Sequence, residues 1–408
     1  MPRTAPLTRG IVLIASAVVA LAACTPPMPP DVLAARAEAQ IVCGNGDVAV
    51  VTPETLTGSM AAVGAALTTV CPQDTVTEVP VDQPAQVALV DKTPTAADID
   101  AFSTASCPTG STIVVPAFAY PVTIAYNVIG LEGVVFTPAA VAGILSGTVT
   151  SWEDPLITDE NPDFDFTGLP DLTLMSVDTD QGSVEAMTAW LTQQAPDAWT
   201  KGTIGTLEGS QTFPTETEMV AEMAAVESSI AVLPVFQAFN NVLATANLPV
   251  YVQGDDGSMQ ELVVTADDVQ LYKVGSGATV VTKDDAGNIF ASPATGGVPV
   301  EGNFDLASSK IVLAAGAPLI GWPVLGYAHL LVCDDAKDSK PLAFTQYVVR
   351  LAGQGSLEAF GLTPMPEPIR IQTFAPLKVT VNTEDAVEPS MTPSTNDVVP
   401  ASVAPSTS

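Results

Sequence analysis

The chain reads as short apolar runs separated by polar stretches rich in Gly, Pro, Ser and Thr. Val48-Ala49-Val50-Val51 and Gln86-Val87-Ala88-Leu89-Val90 show no polar alternation, which predicts short strands buried on both faces. Residues 112–118 and 122–128 predict two more strands, split by Tyr120-Pro121 because proline cannot donate to a ladder. Leu172-Thr173-Leu174-Met175-Ser176-Val177 and Ser229-Ile230-Ala231-Val232-Leu233 are further strands, and Pro323-Val324-Leu325-Gly326-Tyr327 leads into one that ends near Cys333. Helical spacing fills the gaps. Pro138–Ser146 is predicted helical, with Thr137 as N-cap, Pro138 at the first position and Gly147 past the end. Residues 184–193 form a second helix with Met187 and Leu191 on one face, Glu216–Ala225 a third, and 34–40 a short one. Strands alternating with helices predict an α/β protein whose sheet is covered on both faces. No internal repeat is evident.

The two ends follow other rules. Arg3 and Arg9 precede the run 11–23, which is apolar except for Ser16 and too short to span a bilayer. The small residues Ala22 and Ala23 then complete a secretory signal, 1–23. Leu21-Ala22-Ala23-Cys24 resembles the lipobox of bacterial lipoproteins. That resemblance implies an acylated Cys24 as the first mature residue, holding an extracytoplasmic chain to the cell membrane. Four prolines between Thr25 and Pro30 read as a tether within 24–44. The other end, 373–408, is assigned to a tail; from Asn382 on it is rich in Pro, Ser, Thr and Val and is expected to be disordered.

The 408 residues are 47% apolar, enough for a globular body, and about 385 of them remain after the signal, which suits two domains. There are 13 basic and 45 acidic residues, and loss of Arg3 and Arg9 makes the mature chain more acidic still. Such a field opposes nucleic acid and anionic lipid heads, but not a buried anion site built from amides and helix ends. With Cys24 used for lipid, Cys43, Cys71, Cys107 and Cys333 form an even set in an oxidising compartment. Three pairings fit; a local Cys43–Cys71 bridge is favoured, leaving Cys107–Cys333 to join distant pieces. No metal site is expected: there is no C-x-x-C pair, and the one histidine lies in Gly326-Tyr327-Ala328-His329-Leu330-Leu331-Val332, a strand core. No cofactor motif and no enzyme is expected either, since the chain lacks a phosphate-loop motif and a G-x-S-x-G elbow.

Several stretches, in order, resemble the phosphate-binding proteins of bacterial ABC phosphate transporters. Tyr120-Pro121-Val122-Thr123-Ile124-Ala125-Tyr126-Asn127 resembles the strand crossing between two lobes. Thr137-Pro138 followed by Ile144, Gly147, Trp152, Asp154 and Pro155 resembles the pattern T-P-x-x-x-x-x-I-x-x-G-x-I-x-x-W-x-D-P, with Val149 at its second isoleucine. Lys283, Gly287 and Asn288 resemble a K-x-x-x-G-N turn, Trp322-Pro323-Val324-Leu325-Gly326-Tyr327 the return crossing, and Phe360-Gly361-Leu362-Thr363-Pro364-Met365-Pro366 the segment L-G-Y-x-P-L-P. The likeness spans 45–372. It implies an α/β, two-lobed periplasmic binding protein-like (type II) fold with two crossover strands. Lobe 1 would be 45–120 plus 321–372 and lobe 2 121–320, an arrangement that supports the Cys107–Cys333 pairing. It also implies an ABC permease as partner and a small solute, phosphate or another anion, as ligand.

The family's anion pocket uses R-S-D-G-S-G-T-T at a strand end and helix start. Aligned without gaps, 177–184 put Val177 where the arginine stands, Gln181 for the second serine, Gly182 conserved and Ser183 for a threonine. An arginine would add a bidentate fork to helix-start amides; here the amides are expected to act alone. Thr55 matches a threonine at the first helix, and Asp91 before Lys92-Thr93-Pro94 resembles the aspartate of S-D-x-P. Only 80–87 fill the space of a second anion loop. The ligand-binding set is therefore Thr55, Asp91, Gln181, Gly182 and Ser183. Each has a plainer role open to it: Gln181, Gly182 and Ser183 as helix caps, Thr55 as a helix-start residue, Asp91 as a turn residue. Lys92 either replaces the missing cation or is solvated. Asp178, Asp180 and Glu185 offer a calcium or amine site, but Ala189 stands where a calcium loop needs glutamate. Asp255-Asp256-Gly257 and Asp284-Asp285-Ala286-Gly287 read as exposed turns. The rival reading is a surface interaction or sensor lipoprotein that keeps the fold without binding phosphate.

Overall fold

The computed structural model describes residues 30–208, 211–253, 259–264, 279–293, 304–305, 310–311, 322–335 and 337–379. The signal 1–23, Cys24, residues 25–29 of the tether, Asp255-Asp256-Gly257 and the tail from Asn382 lie outside the described residues. No helix among those described is long and apolar enough to cross a membrane. Helix α1 (Pro30–Ala39) belongs to the unit of the two chain ends; the body runs from Ile41 to Val379.

The body opens with β1 (Asp47–Val51), α2 (Ser59–Val70), β2 (Thr75–Val79), β3 (Val87–Val90) and α3 (Ala96–Ser106). The chain then enters β4 (Ser111–Asn127), followed by α4 (Pro138–Ser146), α5 (Pro155–Thr158), β5 (Thr173–Val177), α6 (Gly182–Gln194), β6 (Gln211–Phe213), α7 (Glu216–Ala225), β7 (Ser229–Pro234) and α8 (Val235–Asn240). Short β8 (Ala244–Thr245) precedes three hairpins: β9 (Leu248–Gln253) with β10 (Met259–Val264), β11 (Thr279–Lys283) with β12 (Ile289–Pro293), and β13 (Phe304–Asp305) with β14 (Lys310–Ile311). The return strand β15 (Leu325–Asp334) leads to α9 (Lys340–Val348), α10 (Leu351–Ala359), β16 (Thr363–Pro364) and α11 (Glu367–Arg370). The main sheet has the order β2-β1-β3-β15-β4-β7-β5-β6, with β8 and β16 also on β4.

Strand β4 is one 17-residue element, not the two that Tyr120-Pro121 predicted, and every residue from Ile113 to Tyr126 is buried. Both prolines sit where the ladder has no use for their missing N–H. Pro121 ends the pairing with β15, and from Val122 onward the strand pairs with β7 instead. Pro116 lies at a bulge, where the register shifts between Ala328 and His329. The unpaired carbonyl of Ala117 there accepts from Gln354 Nε2 at 2.9 Å. Beside the changeover the return chain runs antiparallel: the Val122 amide donates to Val324 O at 3.0 Å and the Trp322 indole to Val122 O at 2.7 Å.

The motif residues at 137–155 turn out to hold structure. Thr137 caps α4 by accepting from the Ala140 amide, and Gly147 ends it at φ +74°. Trp152 is buried and donates to Ser228 Oγ, and Asp154 caps α5. Both disulfides take the favoured pairing, Cys43–Cys71 and Cys107–Cys333, with Cα atoms 5.5 and 5.2 Å apart. Cys43, Cys71 and Asp74 cluster closely, but their sulfurs are bridged and Asp74 accepts from the Gly44 and Gly46 amides.

Three expected boundaries shift. Residues 41–44 belong to the body rather than to the tether, because the Cys43–Cys71 bridge and Asp74 hold them. Residues 373–379 also leave the tail: Thr373, Phe374 and Leu377 are buried, and Gln346 donates to Leu377 O. The β11–β12 hairpin, expected in lobe 2, packs on the opposite half of the sheet. Phe290 joins the cluster of Ala88, Phe102, Val114 and Leu331, and Asn288 Oδ1 accepts from the Val114 amide.

Gly326 sets how closely the crossing strands meet. A Cβ there would lie 2.1 Å from the ring of Tyr120, itself fully buried and unable to yield. Gly326→Ala is expected to cost about 1–3 kcal/mol of stability by overpacking, measured by denaturant unfolding.

Candidate functional site

A cleft of about 740 Å³ lies between the two halves of the sheet, lined by the segments that follow β1, β2, β3, β5 and β6. Its lining includes Glu54, Thr55, Glu78, Asp91, Val177, Asp180, Gln181 and Glu216. Three of the expected site residues, Thr55, Asp91 and Gln181, therefore face it. Gly182 and Ser183 are buried behind the wall. Val177 is buried in the core beside Met175, Met219 and Met223, so the strand end brings an apolar side chain to the cleft where the family resemblance placed a cation.

Asp91 is the meeting point. Its Oδ2 accepts from the Gly182 amide at 2.9 Å, the first helical residue of α6. The Tyr120 hydroxyl donates to the Asp91 carbonyl. A Cβ on Gly182 would come within 2.1 Å of that carbonyl oxygen, so glycine is required by close approach rather than by a ligand. Burial pushes the Asp91 carboxyl above the ordinary range, against the Gly182 hydrogen bond and the charge of Lys92. Lys92 pairs with Asp180 and is a bound cation rather than a solvated one. Burial lowers its pKa, but Asp180 prevails and holds it raised.

His329 fixes this loop from behind. It is fully buried; Nε2 accepts from the Ala291 amide at 3.0 Å, so the proton sits on Nδ1 and is donated to Lys92 O at 3.0 Å. Burial drives its pKa down to about 4, and the ring stays neutral.

Gln181 precedes α6 without capping it through its side chain. Its amide Nε2 donates instead to Glu216 Oε2 at 3.2 Å, and Thr55 also hydrogen-bonds the Glu216 carboxyl. Ser183 is fully buried, and its hydroxyl has no hydrogen-bond partner among the described residues. The helix does begin at Gly182, so the residues read as caps are partly helical themselves.

Three helix starts border the cleft, and each is met by a carboxylate of the chain. Glu78 accepts from the Gly58, Met60 and Ala61 amides at 2.8, 2.7 and 3.1 Å, covering the start of α2. Glu54 accepts from the Glu216 and Thr217 amides at 2.9 and 3.1 Å, and from the Thr217 hydroxyl, at the start of α7. Asp91 does the same for α6. These are the orphan amides and positive dipole ends that bind anions. Glu54, Glu78 and Glu216 escaped the sequence reading. Glu54 and its partners are 162 and 163 residues apart, so no local pattern links them. The available signal was an acid within the strand pattern Thr75-Val76-Thr77-Glu78-Val79.

The connection 80–86 passes from β2 to β3 without a helix. The cleft is thus rich in acceptors, and its strongest donors are engaged.

No protein-family model and no curated protein matches the sequence. Solved structures do match in fold. A DING protein superposes with a TM-score of 0.53 at 17% identity, over 81% of this chain and 94% of that one. The ancestral soluble variant of the human phosphate-binding protein gives 0.52 at 15%, over 81% and 93%. A high-affinity periplasmic phosphate-binding protein, PfluDING, bound with phosphate gives 0.51 at 16%, over 81% and 93%. The fold is therefore the α/β, two-lobed periplasmic binding protein-like fold of phosphate-binding proteins.

Burial lifts the Glu216 carboxyl to about 8, against the Thr55 hydrogen bond. Unfolded, the group ionises near 4.5. Between these values the folded chain keeps a proton that the unfolded chain has shed, so stability falls as pH rises. Glu216→Gln keeps an acceptor for Gln181 and removes this slope. Between about pH 5 and pH 8 its melting temperature is expected to fall by several degrees less than that of the wild type, read by thermal denaturation.

Proposed function

We propose that the chain is an extracytoplasmic, lipid-anchored solute-binding protein that takes a small solute into the interlobe cleft and passes it to an ABC permease. The observation that carries this reading is the cleft itself. It lies between the two halves of the sheet, where the chain leaves β1, β2, β3 and β5, in a fold shared with phosphate-binding proteins, and is lined by Thr55, Asp91 and Gln181. On this reading 1–23 is removed, Cys24 carries the lipid, and α1 lies within the tether. The first lobe is built from 41–120, the β11–β12 hairpin and 321–379, and the second from the segments between.

The solved neighbours include a protein bound with phosphate. In this chain the helix-start amides are engaged by Glu54, Glu78 and Asp91, and Val177 supplies no charge. The cleft therefore favours a solute that donates hydrogen bonds, such as an amine or a polyol, over free phosphate. The same saturation of the helix starts favours a second reading, a surface interaction or sensor lipoprotein that keeps the fold without phosphate.

A thermal-melt screen of the full chain in phosphate-free buffer separates these. A ligand at about 1,000 times its Kd adds about 4 kcal/mol, a shift of several degrees. Phosphate and sulfate are expected to give none, and a donor-bearing solute a clear one. A phosphate shift overturns the preference for donors; no shift with any solute overturns the receptor reading in favour of the second. Separately, Cys24→Ser is expected to move the chain from the membrane to the soluble fraction on cell fractionation. Retention in the membrane overturns the lipid anchor.

A further inference from the structure

Polar links tie the two halves of the sheet together across the cleft, and both partners in each belong to the chain. Glu54 precedes α2 in the first half and holds the Glu216 and Thr217 amides of α7 in the second. Asp91 follows β3 and holds the Gly182 amide of α6. Lys92 pairs with Asp180, and Gln237 Nε2 donates to Thr55 O at 3.3 Å. The rings of Phe236 and Phe360 meet at 5.3 Å.

We propose that Glu54 and Asp91 form a built-in latch: seated on the N-termini of α7 and α6 in the opposite half, their carboxylates hold the lobes together without help from a solute. The physical basis is the attraction that helix starts have for anions, since free amides and the positive dipole end point at the same place. A diffusing anion must be supplied at sufficient concentration. A carboxylate carried on the adjoining lobe has a fixed high effective concentration and needs none. Contact at the back of the cleft is already complete, because Gly182 has no room for a Cβ against the Asp91 carbonyl. Glu78 does not take part, as it caps α2 within its own half. The latch concerns the resting protein and is independent of which solute the cleft accepts.

The amides of Gly182, Glu216 and Thr217 lie in first helical turns and have no intrahelical acceptor. Their protection therefore reports the interlobe contact and not the helices. Hydrogen–deuterium exchange with residue-level fragmentation on the full chain, in phosphate-free buffer and with added phosphate, reads it directly. The latch predicts that these three amides are protected without solute and that phosphate changes nothing. In the double variant Glu54→Gln with Asp91→Asn, their exchange is expected to rise at least about tenfold, while α4, which does not line the cleft, stays unchanged. Two results would each overturn the latch: fast exchange of these amides in the solute-free wild type that phosphate then slows, or a folded double variant that exchanges like the wild type. If the double variant does not fold, the wild-type arm decides alone.

Discussion

The antiparallel pairing of β4 with β15 is the constraint on which the rest of the molecule depends. It runs from Ser111 opposite Asp334 to Pro121 opposite Leu325, and then β4 passes on to pair with β7. Both halves of the sheet are therefore built on one continuous strand. What each crossing strand presents at the changeover fixes the cleft. Tyr120 of β4 reaches the Asp91 carbonyl, Gly326 of β15 leaves space for the Tyr120 ring, and His329 of β15 holds the Lys92 carbonyl. The 91–92 loop is thus pinned from both crossing strands, and its carboxylate arrives at the start of α6 by construction.

Much of this was legible from local signals. The buried strands announced themselves as unbroken apolar runs, and α4 carried its own start and stop in Thr137, Pro138 and Gly147. Pro121 misled for a physical reason: proline argues against a central strand unless the ladder changes partner at that residue, which only tertiary structure reveals. The place of the β11–β12 hairpin was equally hidden, since Phe290 is an ordinary apolar residue until its neighbours are known. Thr55, Asp91 and Gln181, singled out through their likeness to a family pocket, line one cleft. Their partners were not foreseen. Gln181 looked like a cap or an anion donor, and instead donates to Glu216. Glu54 sits next to Thr55 in sequence, yet its meaning depends on a helix start more than 160 residues away.

The electrostatics of the cleft follow from that arrangement. A carboxylate at a helix start offsets the dipole and satisfies amides that would otherwise seek an anion. Once it is there, the next anion meets a negative charge where it would have met a positive one. Two like charges about 4 Å apart repel by about 4 kcal/mol at an effective dielectric of 20. That repulsion is as large as the charge-assisted hydrogen bonds a free phosphate would gain, each about 1.5–3 kcal/mol, if it displaced only one of them. Nor can the one cation beside Asp91 restore the balance, because Lys92 is held by Asp180.

The buried acid at the centre points the same way. Glu216 lies between Thr55 and Gln181, and burial keeps its proton on to about pH 8. Near neutrality it is a protonated carboxyl and adds no negative charge to the cleft. A solute bearing an amine or hydroxyls would meet the acidic groups Glu54 and Asp180 at the cleft wall. A phosphate would have to break the bonds that join the lobes. The same carboxylates therefore govern two properties at once, the chemistry the cleft accepts and the closure of the lobes around it. A change that frees a helix start for an anion also loosens the grip of one half on the other.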